Sequence, residues 1–176
     1  MDTPLEPNAL KRRLLTLFLV VLACVAVDRV SKSWAEDNLD PHLSKSYLAD
    51  TFRIQYAENT GAFLGMGKDW NKMTRFLIFS AATSVFLIFV AVTTLRHPKL
   101  DRIELIAVSL IVGGGVGNLI DRFVRADGSV VDFMNMGIGG LRTGIFNVAD
   151  VALTAGLIIW ILPRKKKEDG EGAPTV

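Results

Sequence analysis

At 176 residues the chain has room for one domain and no second core. Half of its residues are hydrophobic and the mean hydropathy is +0.35, yet 22% are charged, so the polar residues must gather in particular places. The net charge of +2 and the pI of about 8.8 come from basic clusters beside apolar segments, which fits acidic lipid headgroups and argues against nucleic acid.

Residues 1–9 read as a polar, mobile tail. A first helix is predicted over 14–34, preceded by Lys11, Arg12 and Arg13. The apolar run "LLTLFLVVLAC" after three basic residues also resembles a lipoprotein signal peptide ending at Cys24. That reading is rejected, because the run continues through Ala26 and Val27 and three more apolar windows follow. As the only cysteine, Cys24 cannot form an internal disulfide and is expected to be a small buried apolar group. Asp28 and Lys32 lie four apart on one face at the end of this helix, which suggests a paired charge anchoring it.

An outer loop follows over 35–69, in which "TFRIQYAENTGAF" alternates Phe52, Ile54 and Tyr56 with polar neighbours and turns at "NTG". It reads as a strand on the membrane surface. A second helix is predicted over 70–95, and "RHPK" then makes a tight turn, since Pro98 cannot donate to a continuing helix. The third helix, 101–121, starts near Glu104, an end charge beside Arg102, and finishes on "GGGVGNLIDR". That run lacks the Lys-Ser/Thr ending of a phosphate loop and completes no GxGxxG pattern. Gly113 and Gly117 make a small-xxx-small pair that predicts close helix packing, while Asn118, Asp121 and Arg122 gather within two turns, with Asn118 and Arg122 sharing a face.

The second outer loop, 122–146, holds the short apolar runs "VVDFM" and "GIF" around "GIGG", consistent with a hairpin; the two outer loops together could form one small sheet. A fourth helix is predicted over 147–163, followed by a mobile tail over 165–176. A helix needs roughly 20 residues to cross the hydrocarbon layer, so the four apolar windows predict four spans. Arg96, Lys99 and Arg102, and Arg164 to Lys167, place the link and both termini on the cytoplasmic side and the two longer loops outside. The expected fold is an integral membrane, mainly α, four-helix bundle with an extracytoplasmic β platform.

Two acids remain. A carboxylate at the centre of a span costs about 2.5 to 3.5 kcal/mol, so each needs a partner or a task. Asp150 has a structural role available: Asn147 can cap the fourth helix with Asp150 three residues on, near the positive end of the helix dipole. Asp132, alone between Val131 and Phe133, has none. If the hairpin folds back over the bundle the two approach, one stays protonated, and the other can accept a proton from water, as amide hydrolysis requires. His42 and His97 lie in loops without further ligands at suitable spacing, so no metal site and no cofactor are expected.

"DRVSK" at 28–32, "NTGAF" at 59–63, "GGGVGNLIDR" at 113–122, "VVDF" at 130–133 and "FNVAD" at 146–150 together resemble the lipoprotein signal peptidase family, also called signal peptidase II. The likeness runs in order over roughly residues 14–163. It implies an aspartic endopeptidase of the bacterial cytoplasmic membrane that cuts a prolipoprotein just before its diacylglyceryl-modified cysteine. On this resemblance Asp132 and Asp150 are the catalytic dyad; Asn59, Asn118, Arg122 and Asn147 line the substrate site; Asp28 and Lys32 form a framework pair. Gly113, Gly117 and Asp121 are taken as supporting residues. Expected partners are lipidated prolipoproteins, membrane lipids and globomycin-type inhibitors, with the protein acting as a monomer. Arg29 stands where the family pattern suggests glutamine, and Val151 where a small or hydroxyl residue is common, departures that bear on substrate preference. A proton or cation carrier would place its acids near the midplane in repeated halves, and a structural scaffold would leave Asp132 without a purpose.

Overall fold

The computed structural model describes residues 7–61, 66–98 and 100–162. Lys99, Arg164 to Lys167, the end of "NTGAF" and most of both expected tails lie outside them. Helix α1 is Pro7–Asn38, β1 is Ser44–Tyr47 and β2 is Phe52–Asn59. Helix α2 is Lys72–Arg96, α3 is Arg102–Val124, β3 is Val130–Ile138, β4 is Leu141–Arg142 and α4 is Val148–Ile161. The protein is mainly helical with one small antiparallel sheet.

Among the described residues three helices, α1, α2 and α3, are long and apolar enough to cross a membrane, and α4 is apolar but shorter. Helix α1 exceeds its expected range at both ends: residues 7–9 join it, because Pro7 suits a first helical turn, and no glycine or proline interrupts it before Pro41. At 1.5 Å per residue its 32 residues measure about 48 Å, against about 30 Å of hydrocarbon. The surplus carries Ala35 and Leu39 out to the sheet, where they pack on Phe133, Ile54, Tyr56 and Met134.

Helix α3 is the hub of the bundle. Its apolar stretch is mostly buried, whereas α1 and α2 turn Leu15, Phe18, Val85 and Phe89 outward. The two glycines of its small-xxx-small pair face α1: a Cβ on Gly113 would sit 2.8 Å from Cys24 Cβ, and one on Gly117 2.9 Å from the Asp28 carboxylate. Cys24 is accordingly only half-buried, against that glycine. At the opposite end Arg13 donates to the carbonyls of Leu95 (3.1 Å) and His97 (2.9 Å), closing the free C-terminal end of α2. Within α2, residues Phe76–Ala82 wind as a π-helix.

The sheet runs β1-β2-β3-β4, each pair antiparallel. The alternation in "TFRIQYAEN" does form β2, and "VVDFM" opens β3. Strand β1 is fully exposed "SKSY" and has no apolar alternation to announce it. The "GIF" run forms no strand; only Phe146 bridges to Met134. In the β1–β2 turn Leu48, Ala49 and Asp50 all take positive φ, 52°, 51° and 66°. Asp50 compensates by binding Arg53 through both carboxylate oxygens, 2.7 and 2.6 Å, contacts that hold its carboxyl well below the usual range.

Candidate active site

Helix α4 begins with a reciprocal cap. Asn147, extended at φ −128°, accepts the Asp150 N–H on its side-chain oxygen at 3.0 Å, and Asp150 accepts the Asn147 N–H at 3.1 Å. Two of the four free donors of the helix end are satisfied in this way. The Asn147 amide nitrogen is then free to point across the chain. It donates to Asp132 at 2.7 Å and also reaches Asn118 Oδ1 at 3.0 Å and the Val131 carbonyl at 3.2 Å. One fully buried side chain thus ties the two acids together.

Asp132 sits on β3 opposite Ala57 of β2, beyond an irregularity in the register between Ile54 and Ala57. Asn59, two residues further along β2, donates to the second Asp132 oxygen at 3.0 Å. The side chain is 3% exposed. Burial, then the nearby Asp150 charge, push its pKa up to about 7 against the lowering effect of Asn59 and Asn147. Asp150 receives the Asn118 amide at 2.8 Å on its other oxygen. Both acids line one cavity of about 790 Å³, with Asn59, Asn118 and Arg122 also in its wall.

A buried ionic layer stands behind them. Lys32 donates to Asp28 at 2.8 Å, Asp121 at 2.8 Å and Asn118 Oδ1 at 3.0 Å, matching its three donors with three acceptors. An ammonium on the Asn118 oxygen fixes which way that amide faces, and so aims its N–H₂ at Asp150. Asp28 accepts the Ala149 N–H at 3.0 Å, another free donor of α4, and Asp121 accepts the Val131 N–H at 3.3 Å, beside Asp132. Asp28 and Lys32 are therefore buried to 0% and 1% exposure and belong to the support of the site, well beyond a surface anchor.

Arg122 lines the cavity with its guanidinium 5.1 Å above the Phe79 ring, donating to the carbonyls of Gly61 (2.5 Å) and Gly128 (3.1 Å). Asn147, by contrast, is buried behind the wall. Sequence reasoning missed Arg29 as a participant: it pairs with Asp121 at 2.5 Å and Asp28 at 3.4 Å. A cation directly following Asp28 was the available signal. It also missed Phe79, Thr83 and the stretch Thr143 to Phe146 in the wall, all ordinary apolar or small residues with no chemical mark. Among the described residues no three His, Cys, Asp or Glu side chains converge on a metal-binding cluster.

Several apolar helices around a cavity that presents two hydrogen-bonded acids, Asp132 buried and Asp150 partly so, define a multi-pass membrane protein with the makings of a hydrolase. The family described as "Signal peptidase (SPase) II" matches residues 20–164, and the chain belongs to it. It is a peptidase. A lipoprotein signal peptidase of Oleidesulfovibrio alaskensis is 32% identical over 149 residues, covering 84% of this chain and 92% of that protein. Two solved structures, described as a bacterial membrane enzyme determined by the in meso method at 2.3 Å and 1.9 Å resolution, superpose with TM-scores of 0.71 and 0.70. Each is 27% identical and covers 92% of this chain, with 90% and 95% of the other chain matched. Membership decides among peptidase, carrier and scaffold in favour of the peptidase.

Proposed function

We propose that the chain is an aspartic endopeptidase that removes the signal peptide from diacylglyceryl-modified prolipoproteins, cutting just before the lipidated cysteine. The observation that carries this reading is the pair Asp132 and Asp150 in one cavity wall, bridged by Asn147, with Asp132 holding its proton near neutrality. Such a pair divides the work of amide hydrolysis. Asp150 as carboxylate takes a proton from water, whose oxygen adds to the scissile carbonyl, while Asp132 gives its proton to the carbonyl oxygen. Collapse of the tetrahedral species breaks the C–N bond and returns a proton to the leaving amine.

Asn59, Asn118 and Asn147 orient the two acids, and Asn59, Asn118 and Arg122 also present polar atoms to substrate from the wall. Gly113, Gly117, Asp121, Asp28 and Lys32 keep α1, α3 and α4 in register behind the dyad.

The short α4 supports a site at the membrane boundary. Its 14 residues measure about 21 Å, some 9 Å less than the hydrocarbon thickness, so a helix starting from the far interface presents Asp150 below the near one. Basic residues at the start of α1 and around the α2–α3 turn favour four spans with both termini in the cytoplasm and the sheet outside the inner membrane. In this reading the protein works as a monomer, in contact with membrane lipid, and globomycin-type inhibitors occupy the dyad. Incubating the purified protein with a diacylglyceryl-modified prolipoprotein tests the proposal: a product shortened by its signal peptide is expected, and an unchanged substrate contradicts it.

A further inference from the structure

The stretch between β4 and α4 forms one wall of the cavity beside the dyad. Its two ends are bonded to β3. The Thr143 N–H donates to the Met136 carbonyl at 2.7 Å, the Phe146 N–H to the Met134 carbonyl at 2.8 Å, and the Phe146 carbonyl accepts Met134 N–H at 2.8 Å. Asn135 adds a side-chain donor to the Thr143 carbonyl at 2.6 Å and a longer one to the Gly144 carbonyl at 3.4 Å. Between these ends Gly144 and Ile145 stand away from the ladder. Among the described residues no group accepts the Gly144 or Ile145 N–H, and none donates to the Ile145 carbonyl. Both residues are only half-buried and lie in the wall.

Half-covered backbone donors and an acceptor, presented beside the dyad by a segment whose two ends are bonded to β3, are what an incoming peptide strand requires. A lipid acyl chain offers them nothing. A helical signal segment has already consumed its own N–H and C=O groups. An extended substrate satisfies both sides, and its carbonyl carbon is open to water, whereas a helical carbonyl is bonded and shielded. We infer that the substrate crosses the site as an extended strand paired with the Gly144 and Ile145 backbone, so that the signal helix ends or unwinds before the scissile bond. The inference rests on the peptidase reading and adds the conformation in which substrate is accepted.

A backbone scan of the substrate tests it on the unaltered enzyme. In a synthetic diacylglyceryl lipopeptide, each amide N–H from three residues before the scissile bond to three after it is replaced singly by an ester oxygen, leaving the scissile amide intact. Cleavage by the wild-type protein is expected to fall about tenfold at one or two positions, the effect of one lost hydrogen bond, and to stay within about twofold at the others. Ile145→Pro, which removes the enzyme's own donor, is expected to lose a similar factor on the all-amide parent. A flat scan, or cleavage by Ile145→Pro at the wild-type rate, overturns the pairing while cleavage of the all-amide parent by the wild-type protein leaves the peptidase reading intact. An uncleaved parent sinks that reading, and the pairing with it.

Discussion

Asn147 is the residue through which the two acids know of each other, since its backbone N–H holds Asp150 and its side chain holds Asp132. The proton on Asp132 is the more exposed consequence of this arrangement. Its carboxyl is raised to about 7, so the proton is present below that pH and lost above it, and kcat/KM is expected to decline on an alkaline limb near neutrality. Asn59 donates to the charged form at 3.0 Å and so lowers that value. Removing it in Asn59→Ala should move the alkaline limb to higher pH; a pH–rate profile that moves down or stays fixed would show that Asp132 does not set the limb. At this scale the sequence was informative wherever chemistry forced an odd placement: an acid among Val130, Val131 and Phe133, and an Asn three residues before Asp150. It was silent on the Lys32 contact with Asn118, because the two are 86 positions apart and only the fold joins them. Arg29, read as a departure from pattern, turned out to be a second cation for Asp121 and Asp28.

Among the elements, the helices were legible because apolar runs bounded by basic residues leave few alternatives, although their ends moved. Helix α1 runs on past residue 34 since nothing in "AEDN" stops it, and those extra turns support the sheet. The π-helical turn in α2 has no mark in "FLIFSAA", yet it lies where Phe79 meets Arg122 and the cavity. Strand β2 followed from its alternation, whereas β1 is an exposed polar strand held by its pairing to β2 and by the Ser46 hydroxyl, which donates to Asp50. Its turn is a point of strain, because a left-handed conformation costs a residue with a side chain roughly 1 kcal/mol that glycine does not lose. Ala49, at φ 51°, should therefore tolerate Ala49→Gly with a gain of about 1 kcal/mol, read as a higher thermal midpoint in detergent. A lower midpoint would mean that the turn relaxes and holds no strain.

For the molecule as a whole, the site lies where the bundle meets the sheet: Asp150 opens the apolar α4, and Asp132 lies on the sheet that α1 supports. A cavity walled by both is suited to a substrate that is peptide at one end and lipid at the other. Burial of acyl chains contributes about 0.8 kcal/mol per CH₂, so a prolipoprotein lacking its diacylglyceryl group should be cut far more slowly, and equal rates for the two would remove lipid from the recognition. The central claim is that two carboxylates perform the hydrolysis, and one comparison tests it most directly. Asp132→Asn and Asp150→Asn are each assayed against wild type for cleavage of the lipidated prolipoprotein, with membrane insertion and thermal midpoint measured alongside. Each change keeps the side-chain shape and removes the acid, so each is expected to lose at least about a thousandfold in rate while remaining folded in the membrane. Cleavage within a few-fold of wild type by either folded variant would contradict the account.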